Sequence, residues 1–225
     1  MVLSIDDGDV EHFRPKGLIT IEGFDPLSPG YYWMGADWNN LFLSCKHCNQ
    51  SRVQPTPIGT KRTMGKKNQF PLSDNKKRAR THKKKIAEEE PYRLLIDPGL
   101  EDPLKFIDFD DQGMIIPKAF ATGKTNLKGE VSIEVFALYR KKLVDARKMH
   151  ALTVMAALTT YRKLSADLQI DMAYLPAARI QQKELDMEEE IKKLNVYTRP
   201  DQLFSAMSLT LIKNFLKKMG IDYKG

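Results

Sequence analysis

Three short stretches of the chain carry residues whose types and spacing are suited to hydrolysis of a phosphodiester. They are Asp9-Val-Glu11-His12-Phe-Arg-Pro, then Trp-Asn-Asn40-Leu, then Cys-Lys-His-Cys-Asn49. The reaction needs a deprotonated water, stabilisation of charge on the phosphoryl oxygens, and help for the departing sugar oxygen. One imidazole and one divalent cation can together supply all three, so these stretches are candidates for a metal-dependent catalytic centre.

The chemistry assigns a role to each of the main candidates. His12 is the expected general base, because imidazole side chains titrate near neutral pH and keep a neutral fraction there. Glu11 and Asn49 are the expected ligands of Mg²⁺ or Mn²⁺, which prefer oxygen donors. Adjacent residues of a regular strand face opposite sides, so Glu11 and His12 share a site only if the strand ends or bulges there. On a regular strand Asp9 shares the face of Glu11, and we hold it as a substitute ligand.

The only two cysteines, Cys45 and Cys48, form a C-x-x-C pair. In a chain without a secretion signal such a pair indicates metal binding or redox chemistry rather than a disulfide framework. A structural Zn²⁺ site is the prediction, but tetrahedral zinc needs four donors and no second C-x-x-C is present. His47 and His82 could contribute, although each is equally compatible with an ordinary surface histidine.

Positive charge is concentrated in residues 61–85, which contain eleven Lys or Arg and one acid, Asp74. This window carries +10, so the rest of the chain sums to −3 for a net charge of +7. Such a run can be a solvated linker. Beside a nuclease-like centre it can instead neutralise the phosphate backbone of nucleic acid. The residues predicted to contact nucleic acid are Arg14, Lys16, Arg52, Lys61, Arg62, Lys66 and Lys67.

The composition, with 42% apolar and 29% charged residues, is that of a soluble protein. No run of eighteen apolar residues is present, and the start of the chain, Ile5-Asp6-Asp7, is acidic. We therefore expect neither a membrane span nor a signal peptide, and a cytoplasmic location. A length of 225 residues allows at most two compact units.

Hydropathy patterns divide the chain into a strand-rich beginning and a helical end. Short apolar runs between turn signals in the first seventy residues predict short strands. Apolar spacing predicts helices over about 133–164, with a possible break, and 178–194, and a third after Thr198, which is a candidate cap. The predicted fold class is α+β, with a nuclease core at 1–75, a basic linker and small strand layer at 76–125, and a helical module at 126–225.

Taken together and in order, the three stretches resemble the motif of the HNH (ββα-metal) endonucleases. Glu11-His12-Phe-Arg-Pro, Asn40-Leu and Cys45-x-x-Cys-Asn49-x-x-Arg52 fall onto it in sequence. Further stretches, such as Tyr-Tyr-Trp, Lys-Asn-Gln-Phe-Pro-Leu and Leu-Leu-Ile-Asp-Pro, are similar to those of the PtuB-like nucleases of Septu and retron anti-phage defence systems. This similarity runs from about residue 9 to residue 147.

The resemblance implies a hairpin followed by a helix, with His12 near the end of the first strand and Asn49 near the start of the helix. It also implies that Asn40 holds His12 in its orientation and tautomer. The family works with an ABC-type ATPase of the PtuA kind, so such a partner is expected, with the helical module as a docking surface. The expected substrate is nucleic acid, with DNA favoured and RNA or tRNA possible.

Family members usually carry another C-x-x-C some twenty residues before the first His, whereas this sequence has eleven residues before His12. Either the amino-terminal end is shortened, or the zinc site is completed differently or lost. The alternative to a nuclease is a non-catalytic, zinc-finger-like subunit that binds nucleic acid for a partner enzyme. A purely structural zinc protein is a third interpretation.

Overall fold

The structure is a computed structural model that describes residues 8–221 and 223. The acidic start, Ile5 to Asp7, lies outside the described residues. Within them, helices and three small antiparallel sheets alternate with irregular segments, which confirms the predicted α+β class. The described chain divides into two compact units, one made of residues 8–108 and 115–144, the other of 109–114 and 145–223. The predicted three-part division of the chain stays a prediction.

The unit that contains the candidate site begins with two paired strands and a short helix. Strand β1 (Asp9–His12) pairs antiparallel with β2 (Leu41–Ser44), so that His12 lies opposite Leu41. Helix α1 (Lys46–Asn49) follows at once. Two further strands, β3 (Arg52–Pro55) and β4 (Lys61–Met64), form a second antiparallel pair. The order strand, strand, helix is the one that the sequence predicts.

Helix α1 places Asn49 differently from what the resemblance implies. It is a single turn, because Gln50 has extended backbone angles (φ −83°, ψ 141°) and leads the chain into β3. Asn49 is therefore the last residue of the helix and not a residue near its start. His12, in contrast, is the last residue of β1 as predicted.

An aromatic cluster forms the core of this unit. Phe13 meets Phe70 edge-on with ring centroids 5.4 Å apart, and Tyr31 meets the same Phe70 ring at 5.4 Å. Edge-to-face pairs of this kind add roughly 0.5–1.5 kcal/mol to the stabilisation from burial. Since Phe13 directly follows His12, the cluster anchors the end of β1.

A buried carboxylate holds part of the basic segment against this core. Glu89 is fully buried and accepts hydrogen bonds from Tyr31 Oη (2.9 Å), Arg14 Nε (3.3 Å) and the Ala79 amide (2.7 Å). Arg78 is also buried and donates to Tyr31 Oη at 2.8 Å. The interpretation of residues 61–85 as a solvated linker is therefore wrong for this part, because its side chains complete a buried polar network.

The same unit also contains the first of the longer helices. Strands β5 (Ile107–Phe109) and β6 (Ile115–Pro117) form the third small sheet, and helix α2 (Leu127–Val135) follows. Asn126 caps α2, since its side chain accepts a hydrogen bond from the Gly129 amide at 3.1 Å. The predicted start near residue 133 is thus six residues late, because this cap was not recognised.

The predicted break in the first long helix is present. Ala137 has a left-handed backbone (φ 52°), and the Leu138 amide donates to the Ile133 carbonyl at 2.9 Å. A left-handed residue with this hydrogen bond is a common way to end a helix. Helix α3 then runs from Lys141 to Asp171.

The second unit is built from most of α3 together with α4 (Ala177–Thr198) and α5 (Ser205–Lys218). The predicted capping role of Thr198 is wrong: this residue ends α4, and its hydroxyl donates to the Asn195 carbonyl at 2.9 Å. Helix α5 instead starts after Phe204, whose backbone is left-handed (φ 57°). The buried apolar residues of this unit include Phe109, Ala151, Val154, Leu158, Leu168, Leu194, Met207, Leu211 and Ile212.

None of the helices in the described part of the chain is both long enough and apolar enough to span a membrane.

Candidate active site

The His12 imidazole is held in one orientation at the end of β1. Its Nε2 atom lies 2.9 Å from the carbonyl oxygen of Gly35, in the turn that precedes β2. A carbonyl oxygen can only accept a hydrogen bond, so Nε2 must carry the proton. In the neutral ring Nδ1 then keeps its lone pair, which is the state that a general base requires.

Asn40 braces the loops beside this histidine. It is 1% exposed, and its Oδ1 accepts from the Arg14 amide at 2.7 Å. Its Nδ2 donates to the carbonyls of Arg14 (3.0 Å) and Met34 (3.1 Å). All of these bonds go to backbone atoms, so Asn40 acts on His12 through the position of the 34–35 turn and of residue 14. The orientation of the ring itself is set by Gly35.

Glu11 and Asn49 line one cavity of about 340 Å³, together with Gln50, Ser51, Lys67 and Asn68. Their side-chain oxygens are the donor type that a hard cation prefers, and Mg²⁺ commonly uses one or two protein ligands and keeps several waters. The donor set therefore fits such a cation. His12 does not line this cavity.

The separation of Glu11 from His12 follows from the regular pairing of β1. All four residues from Asp9 to His12 pair in register with β2, and the Phe13 amide continues the ladder by donating to the Asn40 carbonyl at 2.9 Å. The strand has no bulge, so successive side chains alternate in direction. Asp9 lies on the Glu11 side, where its Oδ2 accepts from Gln50 Nε2 at 2.9 Å.

Lys66 is one of two predicted nucleic-acid contacts that lie in the interior. Its side chain is only 2% exposed, and Nζ lies 2.6 Å from Glu11 Oε1 and 2.9 Å from the His12 carbonyl oxygen. Burial lowers the pKa of Lys66, while the Glu11 carboxylate opposes that shift. The prediction that Lys66 contacts the nucleic-acid backbone is corrected, because a buried ammonium with these partners is not a surface contact. It fixes Glu11 and the end of β1.

The approach of Lys66 to this site depends on the glycine before it. Gly65 has a φ of +126°, and a Cβ atom there would lie 2.1 Å from the Gln50 carbonyl oxygen. The Lys66 amide also donates to the Cys48 carbonyl at 2.8 Å. Only glycine allows this close backbone contact between the end of β4 and the end of α1, because any Cβ atom at position 65 would clash.

Arg14 is a second predicted nucleic-acid contact that the structure places in the interior. It is 4% exposed and forms ion pairs with Glu89 and Glu90. Its guanidinium also lies 4.8 Å from the centre of the Phe70 ring. The prediction for Arg14 is corrected, because burial against two carboxylates and an aromatic ring leaves no face for a phosphate.

The other predicted contacts, Lys16, Arg52, Lys61, Arg62 and Lys67, are exposed. Arg52 Nη2 donates to Gln50 Oε1 at 2.6 Å, beside the cavity. Arg62 forms an exposed ion pair with Glu134 at 2.8 Å, a type of pair that contributes little to stability. Their binding to nucleic acid stays a prediction.

Cys45 and Cys48 lie together at α1, with their sulfur atoms 3.1 Å apart. The Arg140 guanidinium contacts both sulfurs, with Nη1 3.3 Å from Cys48 Sγ and Nη2 3.6 Å from Cys45 Sγ. The hydrogen bond shared with Cys48 lowers the pKa of Cys45 to about 5, and Arg140 acts in the same direction. The same shared hydrogen bond, together with burial, raises the pKa of Cys48.

This pair does not by itself fit a zinc site. Among residues 8–221 and 223, no group of three or more His, Cys, Asp or Glu side chains is placed to hold a metal ion. His47 and His82 therefore do not complete the cysteine pair there. A cationic guanidinium also occupies the position next to both sulfurs, where a second cation would be repelled.

Comparison with known proteins gives one extended similarity and one partial similarity. The chain is 31% identical over 223 aligned residues to the Septu protein PtuB of Bacillus mycoides (strain KBAB4), which covers 93% of this chain and 66% of that protein. It is 28% identical over 141 residues to the Septu protein PtuA of the same strain, which covers 61% of this chain and 16% of PtuA. The chain thus spans just under two thirds of the PtuB relative.

No family model matches the chain, and no solved structure matches it. The two curated similarities support a relationship to the Septu defence proteins.

Proposed function

We propose that the chain is a metal-dependent HNH endonuclease that hydrolyses phosphodiester bonds of nucleic acid. The proposal is carried by the His12 imidazole at the end of β1, where the Gly35 carbonyl fixes its Nε2 atom. The residue before His12, Glu11, lines a cavity together with Asn49. The similarity to PtuB supports a role for the chain as the effector of an anti-phage defence complex.

In this proposal His12 is the general base. Its Nδ1 atom takes a proton from the attacking water, and the charge that the ring then acquires is stabilised by the Gly35 carbonyl oxygen, which is 2.9 Å from Nε2. The carbonyl also prevents rotation of the ring, so the geometry of proton transfer is preorganised.

Glu11 and Asn49 would hold the divalent cation at the cavity wall, with Asp9 as a substitute for Glu11. When bound, Mg²⁺ or Mn²⁺ stabilises charge on the phosphoryl oxygens and on the leaving oxygen. The side chains of Glu11 and His12 point to opposite faces of β1. The scissile phosphate must therefore lie at the carboxyl end of this strand, within reach of both side chains.

Lys66 has a positioning role in the proposed mechanism. Its ammonium holds one oxygen of Glu11 and the backbone carbonyl of His12 at the same time. The Glu11 side chain and the backbone of His12 are thus held by one buried group. Removal of that group would loosen both, even though Lys66 itself does not touch the substrate.

Substrate and partner are also part of the proposal. DNA is the favoured substrate. RNA and tRNA are further substrates, because the proposed centre acts on phosphate and not on the sugar. We propose an ABC-type ATPase of the PtuA kind as partner and the cytoplasm as location. Zinc has no catalytic role in this proposal.

The proposal is tested by incubating purified protein with duplex DNA, single-stranded DNA and tRNA, with and without Mg²⁺ or Mn²⁺. We expect cleavage only with the metal, and its loss in the Glu11→Gln variant. Glu22→Gln is the matched control, because Glu22 is an exposed carboxylate that does not line the Glu11 and Asn49 cavity. Cleavage by Glu11→Gln at the wild-type rate would contradict the proposed metal site.

A second candidate is a non-catalytic subunit that binds nucleic acid. The observation that favours it is the regular strand, which directs Glu11 and His12 to opposite faces. This candidate predicts salt-sensitive binding, no turnover with any metal, and unchanged affinity in the Glu11→Gln variant.

A further inference from the structure

Trp38 is a large apolar side chain in an unusual environment. It is 84% exposed, although tryptophan is a residue type that proteins usually bury for the most part. The other tryptophan, Trp33, packs edge-on against Tyr31 and Tyr32 with ring centroids 5.6 and 5.1 Å apart. Among the ring contacts of the described residues, none involves Trp38. Its indole therefore presents an open face.

The backbone that carries this indole is held on both sides. Asp37 Oδ1 accepts from the Asn39 amide at 3.0 Å, and the Asn40 amide donates to the Asp37 carbonyl at 2.9 Å. Asn40 is buried and donates to the Met34 carbonyl. Trp38 is thus an exposed ring on an ordered turn, which lowers the entropy cost of binding through it.

The same turn contacts the proposed general base. Gly35, whose carbonyl accepts from His12 Nε2, is three residues before Trp38. Three residues span at most roughly 11 Å, so the two Cα atoms cannot be further apart than that. At roughly 3.4 Å per nucleotide of one strand, this is about three nucleotides, so one substrate can reach both groups.

Positive charge follows the loops next to this turn. The stem of exposed Lys16 packs on the turn, since a Cβ atom at Gly35 would lie 3.5 Å from Lys16 Cδ. Within the described residues no ion pair engages Lys16. Arg80 Nη2 donates to the Ser28 carbonyl at 3.4 Å, and two residues later the Gly30 amide donates to the Gly17 carbonyl at 3.0 Å, beside Lys16. A polyanion bound at this turn therefore has the Lys16 cation beside Gly35, three residues before Trp38.

We propose that Trp38 is a stacking platform for an unpaired base of the nucleic acid, with Lys16 contacting a neighbouring phosphate. The proposal rests on the proposed nuclease function and adds a substrate preference to it. An exposed aromatic face binds any base that is not stacked within a duplex, and the cation neutralises the backbone. The preferred ligand is then single-stranded nucleic acid, or a site where a base is unstacked.

The experiment measures binding separately from cleavage. Full-length protein carrying His12→Ala is titrated with a fluorescently labelled 12-nucleotide single strand, the matching duplex, and a single strand with abasic positions. We expect the intact single strand to bind more tightly than the other two probes. Adding Trp38→Ala should weaken binding of the single strand by roughly 5- to 150-fold, whereas Trp38→Phe should keep most of the affinity.

Two controls assign the effect to this turn. Phe24→Ala removes another exposed aromatic ring, 70% accessible, and should leave affinity unchanged. Lys16→Met should weaken all probes alike and lower the slope of log affinity against log salt by about 1. In a Trp33→Phe background, quenching of the remaining indole fluorescence by the single strand reports on stacking directly.

Affinity of the Trp38→Ala variant within twofold of its parent would overturn the proposal. The proposal would also be overturned if Trp38→Ala kept its affinity for nucleic acid and lost only its binding to a PtuA-type protein. Trp38 would then be an anchor for protein docking. Failure of the stacking platform and failure of the nuclease give different results. If binding depends on Trp38 but the wild type does not cleave with any metal, the stacking platform stands and the nuclease is refuted. If the wild type cleaves with a metal but binding does not depend on Trp38, the nuclease stands and the stacking platform is refuted.

Discussion

Two histidines, one in each compact unit, show how the same side chain serves different purposes. His12 and His150 are both partly buried, and each has its Nε2 atom 2.9 Å from one oxygen. The partner of His12 is a backbone carbonyl at the edge of an exposed turn. The partner of His150 is the hydroxyl of Ser208, and the ring lies between Tyr197 and Phe204 at 5.7 and 5.6 Å.

The difference lies in what surrounds the rest of the ring. His150 contacts the Tyr197 and Phe204 rings, and partial burial lowers its pKa. His12 follows a carboxylate at a cavity and is close in sequence to Lys16, an exposed cation. Partial burial and a fixed Nε2 therefore do not identify a candidate base. What distinguishes His12 is the adjacent carboxylate, Glu11, which lines a cavity together with Asn49.

The largest predicted effect is a reversal between the two histidines. We expect His12→Ala to lower the cleavage rate by roughly 10²- to 10⁴-fold, the range for loss of a general base, with little change in stability. His150→Ala should lower the free energy of unfolding by about 1–3 kcal/mol, since it removes a hydrogen bond and ring contacts, with little change in activity per folded molecule. Urea unfolding and single-turnover cleavage of both variants check this.

The comparison between the two histidines fails if the two variants behave alike. Equal losses of stability would mean that His12 is another structural residue.

The second largest predicted effect concerns Lys66, whose ammonium contacts the Glu11 side chain and the His12 carbonyl. Lys66→Met should lower the cleavage rate by about 10- to 100-fold, a range typical for residues that orient a metal ligand. The exposed residue Lys76 provides the matched control, Lys76→Met, which should cleave normally. Steady-state kinetics should show the loss in kcat, because Lys66 does not touch the substrate. A loss confined to KM would instead favour a direct contact with nucleic acid.

The role of Lys66 illustrates which parts of the site were predictable. The candidates His12, Glu11 and Asn49 could be chosen from residue type and spacing, and Asn40 from the resemblance to the HNH motif. Lys66 could not, because it is one of eleven basic residues in its window and nothing local distinguishes it. Its burial depends on the contact of Gly65 with the Gln50 carbonyl, which is a tertiary feature.

The outcome of each fold prediction depends on how distinctive the local sequence signal is. The apolar spacing predicts a break in the first long helix but not its position at Ala137, and the resemblance to the HNH motif implies that β1 ends near His12. The cap at Asn126 competes with many similar polar residues in loops. The left-handed Phe204, which starts α5, has no sequence signal, because an aromatic residue rarely adopts that conformation.

A smaller effect distinguishes the two histidines by pH. Burial places the pKa of His150 in the folded state below the ordinary value of 6.5. The unfolded chain therefore binds more protons as the pH falls through 6.5, so the stability that His150 contributes is lost in acid. The free energy of unfolding of the wild type should fall more steeply below pH 6.5 than that of His150→Gln. Parallel curves for the two proteins would contradict the burial of this ring.

The central claim is that His12 supplies the base for phosphodiester hydrolysis, and chemical rescue tests it most directly. The His12→Ala variant is assayed with Mg²⁺ and a labelled oligonucleotide, with and without added imidazole. We predict negligible cleavage without imidazole and a rate that rises with imidazole concentration, while an Asn49→Ala variant stays inactive in both conditions. Cleavage by His12→Ala at the wild-type rate without imidazole would contradict the claim.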